Sequence, residues 1–198
     1  MADPLSYLFP IILGVSLGAS TGLHTTLPLL LVSAAAHFGW GHFALRGDFA
    51  WVASDTALIV LLVAAILETI GDKFPAVDHA LDVIGTFARP ALATLAAAAV
   101  FGHGDKTTAA IVGLIVGAPA AFGVHAAKSG LRVGSSAMTF GCANPFISLI
   151  EDVISALLSI LALFAPIIAL VVLLALFFVC FRILRRMRRV SAGSAVPQ

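Results

Sequence analysis

Residues 153–181 read VISALLSILALFAPIIALVVLLALFFVCF, and residues 182–189 read RILRRMRR. The first run holds no charged side chain and exceeds the roughly 20 apolar residues that a helix needs to cross the hydrocarbon of a bilayer. Arg182, Arg185, Arg186, Arg188 and Arg189 follow at once. Basic residues directly after a membrane helix mark the cytoplasmic side. Only Pro166 interrupts the run. It divides two tightly joined helices or kinks one long helix.

The rest of the chain has the same character. It has 198 residues, 61% apolar and 11% charged. A soluble domain carries about 25% charged residues, so a soluble globular protein is excluded. Further apolar runs lie near 11–31, 57–70 and 91–101. Ala and Leu dominate and ten-residue alternation is absent, which favours helices over a barrel. The start, MADPLSYLFP, has an acid and no base, unlike a signal peptide. The net charge of +1 conceals an asymmetry: outside the tail arginines, acids outnumber bases. The tail is an orientation signal, and no nucleic-acid partner is expected. Cys142 and Cys180 are expected to be free thiols.

The expected architecture is an all-α, polytopic bundle of about six helices, with five as the alternative. Residues 1–181 form a single transmembrane domain, and 182–198 form a basic cytoplasmic tail, disordered at its end. The first apolar region, 5–38, is too long for one simple helix. Gly22, His24 and Pro28 predict a kink or break there. A polar connection covers 39–55, and helices follow over 56–70, 77–101 and 107–131. The Gly/Ser-rich stretch GSSAMTFGCANP is expected to connect the last of these to a helix start at Asn144-Pro145. Six crossings place Lys73, Lys128 and Arg132 inside, and Arg46 and Lys106 outside. Five reverse this. A weak internal echo pairs GASTGLH (18–24) with AAFGVH (120–125), and PAVDHALDVI (75–84) with PFISLIEDVI (145–154). The two echoes have different offsets.

Two glycine series stand out: Gly14, Gly18 and Gly22, then Gly113 and Gly117. This spacing makes a flat strip for close helix packing, and self-association into a homo-oligomer is expected through it. The ionisable residues are more informative. Asp78 and Asp82 are one helical turn apart, Arg89 lies two turns beyond, and Glu68 and Asp72 repeat the four-residue spacing. His125, Lys128 and Arg132 form a basic stripe, and Glu151 and Asp152 open a later helix beyond Asn144. Charges inside a membrane cost about 2.5–3.5 kcal/mol each on insertion scales, so they face the bundle or water and find partners. His24 and His125 lie in apolar surroundings and suit packing or a proton relay. His37, His42, His79 and His103 lie near helix ends, and no zinc pattern emerges.

SLGASTGLHTTLPLL, LETIGDKFPAVDHALD, FARP, HAAKSGLR and NPFISLIEDV together resemble a bacterial membrane family known as domain of unknown function 4126. The resemblance spans about residues 8–153. It implies a multi-helix membrane protein and supplies no activity. A second, partial resemblance is to cation–proton exchangers with a Glu-x-Gly-Asp-Lys/Arg-Thr/Ser motif. Here Glu68-Thr-Ile-Gly-Asp-Lys-Phe has one extra residue, which rotates Glu68 by about 100° on a helix. Phe74 replaces the hydroxyl residue, and a second copy is missing.

The expected function is a small transporter or channel in the bacterial inner membrane, for a cation or for proton-coupled movement. Glu68, Asp72, Asp78, Asp82, Glu151, Asp152 and Asn144 would line the path. Lys73, Arg89, His24, His125, Lys128 and Arg132 would tune charge or gate it. No catalytic residue is assigned. A monovalent or divalent cation is the candidate cofactor, with its metal site unassigned. Two alternatives stay open. One is a membrane enzyme or lipid-handling protein with magnesium on Asp78, Asp82, Glu151 and Asp152. The other is a structural or accessory membrane protein whose charges form internal salt bridges.

Overall fold

The computed structural model describes residues 4–40, 45, 47–102, 105–139 and 142–193. Among them are seven α-helices: α1 (Pro4–Leu23), α2 (Leu27–His37), α3 (Asp55–Gly71), α4 (Pro75–Val100), α5 (Lys106–Thr139), α6 (Asn144–Phe164) and α7 (Pro166–Gly193). A tight helical turn, Gly47–Ala53, precedes α3. The described residues contain no strand.

Local chemistry explains the boundaries. Gly39 takes φ +67° after α2, and the Trp40 N–H reaches back to the Ala35 carbonyl at 2.7 Å. That is a left-handed helix stop, for which glycine is the natural residue. The Ser54 hydroxyl caps α3 by accepting from the Ala57 N–H. Proline stands at the start of α2, α4 and α6, where its missing N–H costs nothing. Ala165 breaks the long apolar run into α6 and α7.

Four helical stretches are long and apolar enough to cross a membrane: Ala80–Val100, Lys106–Thr139, Asn144–Phe164 and Pro166–Ile183. A fifth arises if Gly47–Ala53 and Asp55–Gly71, bent by 59°, make one span. The helical bundle is as expected, and the number of spans is slightly smaller than six. The reason is the first apolar region. It breaks at His24–Thr26 into two shorter apolar helices, Tyr7–Leu23 and Leu27–His37. A second correction concerns GSSAMTFGCANP. α5 continues to Thr139, so most of that stretch is helix rather than connection. At 1.5 Å per residue α5 is about 51 Å long, well beyond the roughly 30 Å hydrocarbon core.

The exterior is apolar and much of the interior is small and polar. Phe87, Phe146, Ile115 and Ile167 are exposed, whereas Ser16, Ser20, Thr21, Ser155 and Ser159 are buried. Lipid tails are as apolar as leucine, so helices associate by close packing and hydrogen bonds. α1 occupies the middle and packs against α4, α5, α6 and α7. A Cβ on Gly18 would sit 2.7 Å from the Gly117 carbonyl oxygen, and Gly14 and Gly22 face Ala97 and Ala121. Gly113 meets Ala98 of α4, and Gly117 meets Ala93. Both glycine strips are therefore consumed inside the chain. The expectation that they join copies loses its basis. Gly18→Ala should destabilise the protein by about 1–3 kcal/mol, because the opposing atoms are backbone and cannot yield cheaply. Gly123→Ala, with nothing within 4 Å, should be neutral. Thermal melts in detergent of the two variants check this contrast.

Candidate functional site: a buried ionic cluster at the helix break

The break between α1 and α2 exposes two helix ends inside the bundle, with unsatisfied backbone groups at each. Opposite charges cover them. Glu68, in the last turn of α3, accepts from the Thr25 N–H at 2.7 Å and the Thr26 N–H at 3.1 Å. It also accepts from the Thr26 hydroxyl at 2.9 Å. A carboxylate thus sits at the positive end of α2. Lys128 of α5 donates to the Leu23 carbonyl at 2.8 Å, placing a cation at the negative end of α1. Both placements suit the helix dipoles.

His24 stands between these ends, fully buried. Its Nδ1 lies 3.1 Å from Glu68 Oε2 and 3.3 Å from the Leu27 N–H. One nitrogen cannot donate to the first and accept from the second at once, so the tautomer decides which bond forms. Its Nε2 meets the Thr69 hydroxyl at 3.1 Å and lies 3.9 Å from Asp152.

Beyond the break the remaining charges pair across helices. Lys73, in the turn after α3, donates to Asp152 at 3.1 Å and to the Ser148 hydroxyl at 3.0 Å, both on α6. Lys128 also meets Glu151 at 3.1 Å. Arg132 pairs with Asp78 of α4 and with Glu151 at 2.8 Å, and lies 3.8 Å from Asp82. Arg89 is only 1% exposed. Both terminal nitrogens of its guanidinium lie 3.2 Å from Asp82 Oδ1. It also contacts His125 Nδ1, which must accept, while His125 Nε2 meets the Thr86 hydroxyl at 3.3 Å. Gly85 makes room for Arg89, since a Cβ there would lie 2.8 Å from Cζ.

A cavity of about 710 Å³ opens along this network between α4, α5 and the start of α6. Its wall includes Asp72, Lys73, Asp78, Asp82, His125 and Arg132. Asn144 and Ser136 line it as well, and the Asn144 amide donates to Ser136 at 3.0 Å. A second, apolar groove of about 450 Å³ lies among α5, α6 and α7, with Glu151 in its wall.

The structure therefore gathers all thirteen ionisable or amide candidates around one region. Glu68, His24 and Asp152 lie on one flank, Asp78, Asp82, Arg89 and His125 on the other, with Asp72, Lys73, Asn144, Lys128, Arg132 and Glu151 between. The glycines belong to the α1–α4–α5 packing instead. Lys128 and Arg132 are buried in ion pairs, so they are not loop charges and carry no orientation signal. His37 lies apart, with Nε2 3.6 Å from Asp55. His42, His103, Arg46 and the side chain of His79 lie outside the described residues. Thr25, Thr26, Thr69, Thr86 and Ser148 were not singled out from sequence. Ser148 alone carried a usable signal, one turn before Glu151 and Asp152.

Among the described residues no three of His, Cys, Asp and Glu converge to hold a metal ion. Asp78, Asp82 and Glu151 converge on Arg132, and Asp152 turns to Lys73. The magnesium site considered for Asp78, Asp82, Glu151 and Asp152 thus lacks its geometry there: cations of the chain already occupy the carboxylates.

No curated protein and no solved structure matches the chain. A family model does match it, over residues 11–186, from the first turns of α1 to beyond the apolar part of α7. The chain belongs to the family described as domain of unknown function (DUF4126).

Proposed function

We propose that the protein is a small membrane transporter or channel for a cation, or for proton-coupled movement. One observation carries this reading: the charge imbalance of the buried cluster. Glu68, Asp72, Asp78, Asp82, Glu151 and Asp152 face only Lys73, Arg89, Lys128 and Arg132. Six acids against four cations leave an excess of negative charge among the described residues: one if His24 beside Glu68 carries a proton, two if it does not. Buried charge without a partner is expensive, and an excess of anions is relieved by taking up protons or a cation. The cavity beside the cluster offers a place for that uptake. A helix broken at the cluster is also the arrangement on which many transporters build their sites.

The proposed setting is a bacterial inner membrane, with one transmembrane domain over 1–181 and the basic tail of 182–198 in the cytoplasm. The protein should be purified and reconstituted in liposomes, and ion flux followed with a pH-sensitive dye and with cation-selective dyes. We expect flux that falls at least tenfold in Asp78→Asn and Asp82→Asn, provided both variants remain folded. Flux indifferent to both substitutions removes these carboxylates from the path.

A second reading is favoured by the pairing itself. Five of the six acids have a cationic or histidine partner, as a structural or accessory protein would need to lock its helices. It predicts large stability losses on neutralising those residues and no flux in the intact protein.

A further inference from the structure

Asp72 is the exception in the cluster. Every other acid is held by a charged or imidazole partner. Asp72 accepts one long hydrogen bond, from the Ser148 hydroxyl at 3.5 Å, and makes no ion pair among the described residues. Its sequence neighbour Lys73 turns away to Asp152. Yet Asp72 is only 5% exposed and lines the cavity. The cavity therefore presents one carboxylate that has no ion pair, while its cations, Lys73 and Arg132, are engaged by Asp152, Asp78 and Glu151.

We infer that Asp72 is the group on which the cavity takes up a single positive charge, a proton or one monovalent cation. The inference rests on the ion-path reading above and narrows it to one residue and one charge class. Divalent ions fit poorly, since one unpaired carboxylate supplies a single negative charge and magnesium demands a near-ideal octahedron of oxygens. A proton needs a single oxygen, and a monovalent ion carries less charge to neutralise.

The surroundings support this assignment. Asp72 lies in the turn between α3 and α4, outside the spans. Burial pushes its carboxyl above the ordinary aspartate range. Lys128 and Arg132 of α5 pull it down, and Glu68 of α3 and Asp78 of α4 push it up. Lys73 with its partner Asp152 of α6 completes the charged surroundings. A carboxyl that binds its proton more tightly when folded stabilises the fold at low pH. That contribution is full below the unfolded value near 3.9 and is lost as pH rises through the folded value. Asp72→Asn removes the buried charge, so it should stabilise the protein at neutral and alkaline pH. Neutralising a paired, structural acid does the opposite.

The test uses the full chain in detergent, without a gradient. Infrared difference spectra across a pH titration report the protonated carboxyl, and thermal melts report stability over the same range. We expect a carboxyl band titrating above the ordinary aspartate range, lost in Asp72→Asn and kept in Asp78→Asn. We also expect the melting temperature of Asp72→Asn to exceed that of the parent by about 2–4 °C at alkaline pH and to match it in acid. Titrations in choline, sodium, potassium and magnesium chloride separate the ligands. One midpoint in all four identifies a proton site. A midpoint lowered by sodium or potassium identifies a competing monovalent ion. A shift by magnesium alone overturns the assignment, as does a band that survives in Asp72→Asn, or an Asp72→Asn protein less stable than its parent at every pH. Absent flux with an intact Asp72 titration overturns only the transport reading. Flux without an Asp72 titration overturns only this inference.

Discussion

Replacing Arg132 by methionine should destabilise the protein by about 3–5 kcal/mol, the loss that follows when one partner of a buried ion pair is removed. Arg132 stands on α5 and engages Asp78 and Asp82 of α4 and Glu151 of α6. Without it Asp78 loses its ion pair, and the excess of negative charge in the cluster grows by one. Glu151 keeps only Lys128, and Asp82 only Arg89. Arg132→Lys should recover part of the loss but not all, because a lysine cannot present a planar fork to carboxylates on two helices. The double variant Arg132→Met, Asp78→Asn should be more stable than Arg132→Met alone, since it removes the stranded charge. Thermal melts of the three variants in detergent give the ordering. An Arg132→Met protein that melts with its parent would mean that α5 is held to α4 and α6 by packing alone.

Much of this network was legible in the sequence, and its limits are physical. Helical spacing alone places Asp78, Asp82 and Arg89 on one face, and His125, Lys128 and Arg132 on another. In an apolar chain, opposite stripes have few other partners, and α4 packs against α5. The break in the first apolar region was legible too, from Gly22, His24 and Pro28. What fills the break was not. Glu68 is separated from Thr25 by 43 residues, and no local pattern says that an acid at the end of one helix will cap the start of another. The end of α5 lies beyond the sequence expectation for a related reason. Gly134, Ser135 and Ser136 are weak helix formers, yet α5 runs through them. Ser136 is held there by Asn144, and the Thr139 hydroxyl bonds back to the Ser135 carbonyl. The glycine strips announced close packing but not the partner. Whether Gly18 meets another chain or Gly117 of its own depends on where α5 lies.

Glu68→Ala is the second substitution expected to have a large effect, about 3–5 kcal/mol from several buried donors left unsatisfied, and its reasoning differs from that for Arg132. Glu68 ties α3 to the start of α2 through two backbone N–H groups, a hydroxyl and His24. Its loss leaves those donors unsatisfied, each costing about 1–3 kcal/mol when buried, though not additively. Water reaches the break poorly, since Thr25 and His24 are both buried. Glu68→Gln should lose less, because its carbonyl oxygen can still serve one N–H while its amide opposes the other. The damage should also be local. Hydrogen exchange read by mass spectrometry should accelerate over 24–30 and change little over the α4–α5 contact, where the Arg132 and Arg89 pairs are untouched. That pattern would make the break a separately adjustable joint, with α2 and α3 free to shift against a fixed α1–α4–α5 core. Acceleration throughout the chain would instead make Glu68 part of one cooperative lock, and a moving path at the break would then lack its hinge.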